Sequence, residues 1–471
     1  MNPGIVRSKR AGRSTGRGAV RWVKEGASKT HTVKYHLTFG RRYASVWAAA
    51  VASRGPLHAP PIGEEIPRDT QRHIRVSIGS AEAQRVDLSP LFTPLSLRSA
   101  TLRNRFVLPA MQRGWGTEGR PQPRLADYYR SRAEGGIALV ISESCAVDHP
   151  AATANRFSCH IRESTYDAWA HCIEAVHEAG GLFFIQLWHE GAKQGRRDAG
   201  VDPVSPSGLV QAGRRNGDPA TPQQLEELRD AFVRSALIAE RAGADGVEVH
   251  AAHGYLLDQF LWSETNRRDD GLGGDDMADR VKFPAQVVAA VRAALKPSMV
   301  ISLRFSQWKT IDYNAKVAQT PEELGVMLSA LEAVGVDVFH ASTRRFWEPA
   351  WPGVDLTLSG WCKTFTDVPV ITVGSVGLTT DQMASILRES EAEATGATGM
   401  RELLRRFEAG EFDLVSVGRS VIGDADWVWK VRDGRYDEIR TFTNEDIAME
   451  WDSSELERVK KLRTGEIPPG A

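Results

Sequence analysis

Three side chains able to hold an oxyanion and deliver a proton stand within six residues of one another. The stretch GVEVHAAHGYLLDQFL, residues 246–261, carries His250, then His253, then Tyr255. Two imidazole N–H groups can converge on one developing oxyanion, and each preorganised donor of this kind contributes about 2.7–4 kcal/mol to a transition state. A phenol has an ordinary pKa of about 10. Tyr255 is therefore protonated at neutral pH and suited to protonate a nascent carbanion. A zinc site needs at least three protein ligands. No further His or Cys is near in sequence, and Glu248 is expected to point to the opposite side of its strand from a neighbour, so the metal reading is weak. A structural pair of surface or core histidines is the plain alternative.

Other polar residues follow or interrupt apolar runs. Arg304 lies inside LRFS and Gln186 inside LFFIQLWH. A buried guanidinium needs a counter-charge and a buried amide needs hydrogen-bond partners. A salt bridge would answer the first; a ligand edge with donors and acceptors would answer both. Gly374-Ser375 and Gly418-Arg419 close two later runs. Glycines there let backbone N–H groups approach an anion and Arg419 adds charge, which suits a phosphate; a plain turn is the alternative.

These residues need a scaffold that gathers strand ends. Eight short apolar runs alternate with helix-patterned stretches: Phe106–Met111, Ala138–Ser144, Leu182–His189, Gly246–His250, Met299–Ser306, Val336–Ser342, Val368–Gly374 and Phe412–Gly418. Near-continuous apolarity fits parallel strands buried on both faces. Thr221-Pro222-Gln223-Gln224 and Thr320-Pro321-Glu322-Glu323 read as capped helix starts with Pro in the first turn and a capping-box Gln or Glu. Behind the first, Leu225, Leu228, Phe232, Ala236 and Ile238 form a stripe that Gly243 terminates. Eight strand–helix units in series predict an α/β fold, a closed (β/α)8 TIM barrel. An open doubly wound sheet is the runner-up, but the first strand lacks a G-x-G-x-x-G turn. In such a barrel the residues after each strand share one mouth: Gln112, Ser144, Gln186 with Trp188 and His189, the His250 group, Arg304, His340 with Arg344 and Arg345, Gly374 and Gly418 with their followers.

The bulk composition agrees. Hydrophobic content is 42% and charged content 25%, ordinary for a globular chain of 471 residues. Residues 1–86 hold 16 Lys+Arg against 5 Asp+Glu, while residues 87–471 hold 43 against 55. The acidic body argues against nucleic acid as a partner. The basic segment 1–86 reads as a disordered tail, as upstream sequence from a misassigned start, or as an organelle-targeting segment. Residues 87–471 read as the barrel with a C-terminal helical tail. The four cysteines, Cys145, Cys159, Cys172 and Cys362, form no C-x-x-C or iron–sulfur spacing. No apolar run reaches the length of a membrane span. A cytoplasmic protein with reduced thiols is expected, and a homo-oligomer is left open.

LFTPLSLRSATLRNRFVLPAM, YYRSRAEGG, ISES, VHEAGGLFFIQLWHEG, GVEVHAAHGYLLDQFLWSETNRR, PVITVGSVG and DLVSVGRSVI together resemble the old yellow enzyme family, from about Leu91 to about Asp433. The resemblance implies non-covalent FMN at the barrel mouth and NADH or NADPH as hydride donor. It implies that Pro109 and Ala110 approach the flavin through backbone groups. Gln186 and Arg304 hold its pyrimidine side, Arg304 stabilising the reduced anionic ring. Gly374, Ser375, Gly418 and Arg419 take the phosphate. His250 and His253 bind the oxygen of a small electrophilic substrate and Tyr255 donates the proton. Gln112 and Ser144 also fall at the cofactor, but Gln112 stands where many relatives carry Thr or Cys, and Ser144 where they often carry Gly. The loop RRDDGLGGDDMADRVKF departs from the usual pattern. Arg344, Arg345, Phe346, Trp347 and Trp351 are candidates for a substrate lid. The expected activity is ping-pong reduction of an activated C=C bond. Oxidation of a small amine, as in demethylating relatives, and a non-catalytic flavin- or phosphate-binding barrel are the alternatives.

Overall fold

The computed structural model describes residues 86–194, 200–381 and 391–446. The basic extension expected over residues 1–86 lies, but for Val86, outside the described residues, as does the expected tail after Asp446. All eight expected strands form. They are β1 (Phe106–Leu108), β2 (Leu139–Ala146), β3 (Leu182–Trp188), β4 (Gly246–His253), β5 (Val300–Lys309), β6 (Val338–Ser342), β7 (Val370–Val373) and β8 (Leu414–Ser416). Each pairs in parallel with the next, and β8 returns to β1, where Val415 faces Phe106. The barrel is closed and the open-sheet alternative is excluded.

Helices cover the outside: α1 (Pro123–Glu134), α2 (Tyr166–Glu178), α3 (Pro222–Arg241), α4 (Lys282–Ala294), α5 (Pro321–Ala333), α6 (Leu358–Phe365), α7 (Gly396–Glu408) and α8 (Trp427–Arg432). The capping box at α3 forms as read: Gln224 N–H donates to Thr221 Oγ1 at 3.2 Å, and Thr221 N–H donates to Gln224 Oε1 at 2.9 Å. The Leu225 to Ile238 stripe is buried against the strands. At α5 only half of the expected box forms. Thr320 caps Glu323 N–H, but the Glu323 carboxylate accepts instead from Gln319 N–H, one residue further back.

Strand alternation divides the residues between two cores. Val247, Val249, Leu303 and Phe339 face the helices. The opposite faces turn inward: Phe184 and Gln186 on β3, Gly246, Glu248 and His250 on β4, Val300, Ser302 and Arg304 on β5, Val338, His340 and Ser342 on β6. The lead-in LFTPLSLRSATLRNRF folds into a hairpin, Leu95–Leu97 against Ala100–Leu102. Its Leu97 and Leu102 pack with Phe184, Val300, Val338, Ile371 and Leu414, which closes the N-terminal end with an apolar plug. Gly246 belongs to this layer and must be glycine, because a Cβ there would lie 2.6 Å from the Val300 carbonyl oxygen and 2.7 Å from the Phe184 ring. Above the plug the interior turns polar. All four cysteines are buried and free, and no helix among the described residues is long and apolar enough to cross a membrane.

The turn after β4 is anchored by a fully buried ion pair, Lys309 Nζ to Asp258 Oδ1 at 2.6 Å. The other Asp258 oxygen accepts from Gly254 N–H, between His253 and Tyr255. Removing one partner strands a charge in the interior. Asp258→Ala is therefore expected to lower unfolding free energy by about 3–5 kcal/mol, measured by urea titration; a loss below about 1 kcal/mol would mean that the pair does not anchor the turn.

Candidate active site

β4 runs three residues beyond the expected end at His250 and carries a register shift between Ala251 and His253. His253 sits in the left-handed region with φ 64°, a conformation a non-glycine residue keeps only when its surroundings hold it. Here Ser306 Oγ on β5 accepts from His253 N–H at 2.9 Å, and the ring packs on Trp308 with centroids 4.6 Å apart. The kink turns the His253 imidazole toward His250, the two rings standing 5.1 Å apart. Tyr255 immediately precedes the short helix Leu256–Leu261, and its ring lies 5.3 Å from His250 and 5.2 Å from Trp188. The three residues are thus brought together.

Their protonation follows from position. Burial, then the Arg304 charge, pushes both imidazoles well below their ordinary value. They are neutral N–H donors at pH 7 rather than cations. Burial, with Glu190 adding to it, pushes the Tyr255 phenol up, so it keeps its proton.

Among the described residues Arg304 forms no salt bridge, contrary to the structural alternative. It donates to the Ala110 carbonyl at 3.2 Å and to the Ser342 hydroxyl at 3.2 Å. The first bond ties β5 to the end of β1 across the mouth. Ser342 Oγ also lies 2.8 Å from His253 Nε2, so one serine couples the guanidinium to the imidazole. Sequence reading passed over Ser342; its signal was a buried hydroxyl closing β6.

One layer below, Glu248 lies in the interior on the same strand face as His250, which corrects the expectation that it points away. Its oxygens accept from Gln186 Nε2 at 2.8 Å, Ser302 Oγ at 3.0 Å and His340 Nδ1 at 2.7 Å. Burial alone would raise this carboxyl, but its contact with His340, then the Arg304 charge, hold it below the ordinary carboxylate value. It is an ionised acceptor surrounded by donors, with His340 kept neutral by burial. Gln186 is therefore not waiting for a ligand to satisfy it. Its carbonyl accepts from Ser144 Oγ at 2.6 Å and its amide serves Glu248. One N–H and one lone pair remain for anything above. Gln112 turns its amide nitrogen toward Ser158 Oγ at 3.3 Å. Pro109 is buried and Ala110 half-buried at the end of β1.

The ends of β7 and β8 also meet. Gly374 and Ser375 take φ values of 148° and 52°. Arg419 Nη2 donates to Ser375 Oγ at 3.1 Å, and its guanidinium also reaches the Thr380 and Asp381 carbonyls. A Cβ at Gly418 would lie 2.5 Å from the Met111 sulfur, so glycine there lets β8 close on β1. The expected lid is pinned instead. Arg344 and Arg345 both pair with Asp381, at 2.5 and 3.2 Å, Phe346 is buried, and Trp351 Nε1 donates to the Gln319 carbonyl.

Among the described residues, the buried atoms at the mouth without a hydrogen-bond partner include Arg304 Nε and His250 Nδ1. A donor set of this kind, with the Ser375 hydroxyl and the Arg419 guanidinium together at the ends of β7 and β8, fits a flat ligand with acceptor atoms at one end and an anion at the other, as FMN is.

Residues 90–438 match the NADH:flavin oxidoreductase / NADH oxidase family. The chain belongs to this family of FMN-dependent oxidoreductases. It is 33% identical over 369 residues to an NADH oxidase of Thermoanaerobacter brockii, 74% of this chain and 52% of that protein. This chain thus spans about half the length of that relative. It is 30% identical to 12-oxophytodienoate reductase 7 of Oryza sativa subsp. japonica, covering 74% of this chain and 90% of the relative. In fold it resembles the old yellow enzyme homologue of Zymomonas mobilis, with a TM-score of 0.62 at 24% identity over 78% of this chain and 98% of the other.

The electrostatics predict a titration. Unfolded histidine takes up a proton near pH 6.5 while the folded imidazoles stay neutral. The unfolded state then binds more protons, so stability is held above pH 6.5 and lost as pH falls below it. NMR of ring-labelled histidine should show His250 and His253 still neutral at pH 5.5; midpoints near 6.5 would overturn the assignment.

Proposed function

We propose that the protein is an NAD(P)H-dependent ene-reductase that reduces the activated C=C bond of an α,β-unsaturated carbonyl or similar electrophile. What carries the reading is the group at the end of β4: the neutral His250 imidazole with the neutral His253 imidazole 5.1 Å and the protonated Tyr255 phenol 5.3 Å from it, ring centre to ring centre, beside the Arg304 charge. When bound, FMN supplies the hydride, received from NADH or NADPH and passed to the electron-poor carbon at the same site in turn. Pro109 and Ala110 present backbone to the ring. Gln186, seated by Ser144, and Arg304 meet its pyrimidine side, with Gln112 at the neighbouring edge. Gly374, Ser375, Gly418 and Arg419 hold the phosphate. His250 and His253 donate to the substrate's oxygen and stabilise the enolate charge that forms there. Tyr255 delivers the proton to the α-carbon. Amine oxidation draws no support from Tyr255, which is held in the protonated form.

The purified protein should show a flavin spectrum, bleach anaerobically with NADH or NADPH, and recover on adding 2-cyclohexenone. Tyr255→Phe should slow that recovery by about a hundredfold or more while leaving bleaching nearly unchanged. A colourless protein that FMN cannot reconstitute, or equal loss in both half-reactions, would refute the proposal.

A further inference from the structure

Lys193 ends a single helical turn, Gly191–Lys193, just after β3. Its ammonium stands 3.8 Å from the centroid of the Tyr255 ring. It donates to the Thr310 hydroxyl at 2.6 Å and reaches the His253 carbonyl at 3.4 Å. Bonds to two different segments hold the cation over that ring face. Tyr255 itself is set among Trp188, His250 and Lys193.

A cation on the face of a phenol attracts the neutral ring modestly. It attracts the phenolate much more, because the full negative charge spreads into the ring and interacts as a charge pair in a medium of low polarity. An acid whose ionised form is unsupported transfers its proton slowly. Burial and Glu190 both oppose ionisation of Tyr255, so support must come from elsewhere. The geometry points to Lys193 as a positioning residue for the reaction: held by Thr310 and the His253 carbonyl, it stabilises the Tyr255 phenolate as the proton leaves for the substrate. This rests on the proton-donor reading of Tyr255. In the step, the Tyr255 O–H bond breaks, a C–H bond forms at the α-carbon, and the phenolate regains a proton from solvent. Lys193 keeps its protons throughout.

The charged and titratable groups facing Lys193 are Glu190 on its own turn, His250, His253 and Tyr255 at the end of β4, Asp258 on the following helix, and Lys309 on β5. The histidines are held neutral, Tyr255 is held protonated, and Asp258 and Lys309 are locked together at 2.6 Å. Glu190 is pushed up to about 7 by burial, against the pull of Lys193. Lys193 is brought down to about 8 by burial, against Glu190 and Asp258. Ionisation of Glu190 adds a negative charge beside the phenol, and deprotonation of Lys193 removes the cation. Both make phenolate formation harder, so proton delivery should fall as pH rises through this range.

The test is stopped-flow reoxidation of the reduced holoenzyme by 2-cyclohexenone between pH 6 and 9, in wild type, Lys193→Arg, Lys193→Met and Tyr255→Phe. Wild type should lose rate as pH rises, with its upper inflection near 8. Lys193→Met should be about tenfold slower at pH 7 and lack that inflection. Lys193→Arg should keep most of the rate and also lack it, because a guanidinium stays charged. Reduction by NAD(P)H, and reoxidation by ferricyanide, which takes electrons without forming a C–H bond, should be unchanged in both lysine variants. Wild-type enone rates in Lys193→Met, or equal slowing of Lys193→Met and Lys193→Arg, would overturn the role of the cation. If Tyr255→Phe slows the enone step but Lys193→Met does not, Lys193 alone is excluded. If Tyr255→Phe is also at wild-type rate, the proton-donor reading falls and the role of Lys193 with it.

Discussion

A guanidinium buried in the mouth of a barrel is the constraint on which the rest of this structure depends. An isolated charge removed from water is costly unless hydrogen bonds and a counter-charge hold it. Arg304 finds the Ala110 carbonyl across the barrel and the Ser342 hydroxyl beside it, with the Glu248 carboxylate one layer below. These partners tie β1, β4, β5 and β6 into one rim, because Ser342 also meets His253. Burial, with the same charge adding to it, keeps His250 and His253 neutral. The donors that would face an oxyanion are therefore imidazoles rather than imidazolium ions, and the positive charge stays where it can act on a group above it.

The barrel interior is graded to make this arrangement tolerable. Leu97, Leu102, Phe184, Val300 and Val338 close the N-terminal end as an apolar plug. The next layer is a polar network in which Glu248 accepts three hydrogen bonds and Gln186 links it to Ser144. Above it, Arg304 Nε and His250 Nδ1 are left without hydrogen-bond partners among the described residues. Beneath them the Glu248 carboxylate is already saturated by donors from β3, β5 and β6. The membership of the chain in a family of FMN-dependent oxidoreductases agrees with a mouth of that composition.

Much of this was legible in the sequence, and the remainder has identifiable causes. The strands could be read because strands buried on both faces are nearly all apolar, and α3 because Thr221 and Gln224 satisfy each other locally. What depends on a neighbouring strand could not be read. The kink that aims His253 needs Ser306 from β5, and the partners of Gln186 are Ser144 from β2 and Glu248 from β4. Glu323 shows the same limit on a smaller scale, since its choice of Gln319 over Thr320 is made by loop geometry. Arg344 and Arg345 looked like a lid because their common partner, Asp381, lies more than thirty residues away. Lys193 drew no notice because a lysine in a turn acquires meaning only from the ring beneath it.

The central claim is that the Arg304 charge faces the part of FMN that becomes negative on reduction. The midpoint potential of the bound flavin tests this most directly, compared between wild type and Arg304→Met with FMN still bound in both. The account predicts a potential lower in the variant by roughly 30 mV or more, a tenfold change in equilibrium constant for a two-electron couple. An unchanged or raised potential would contradict it.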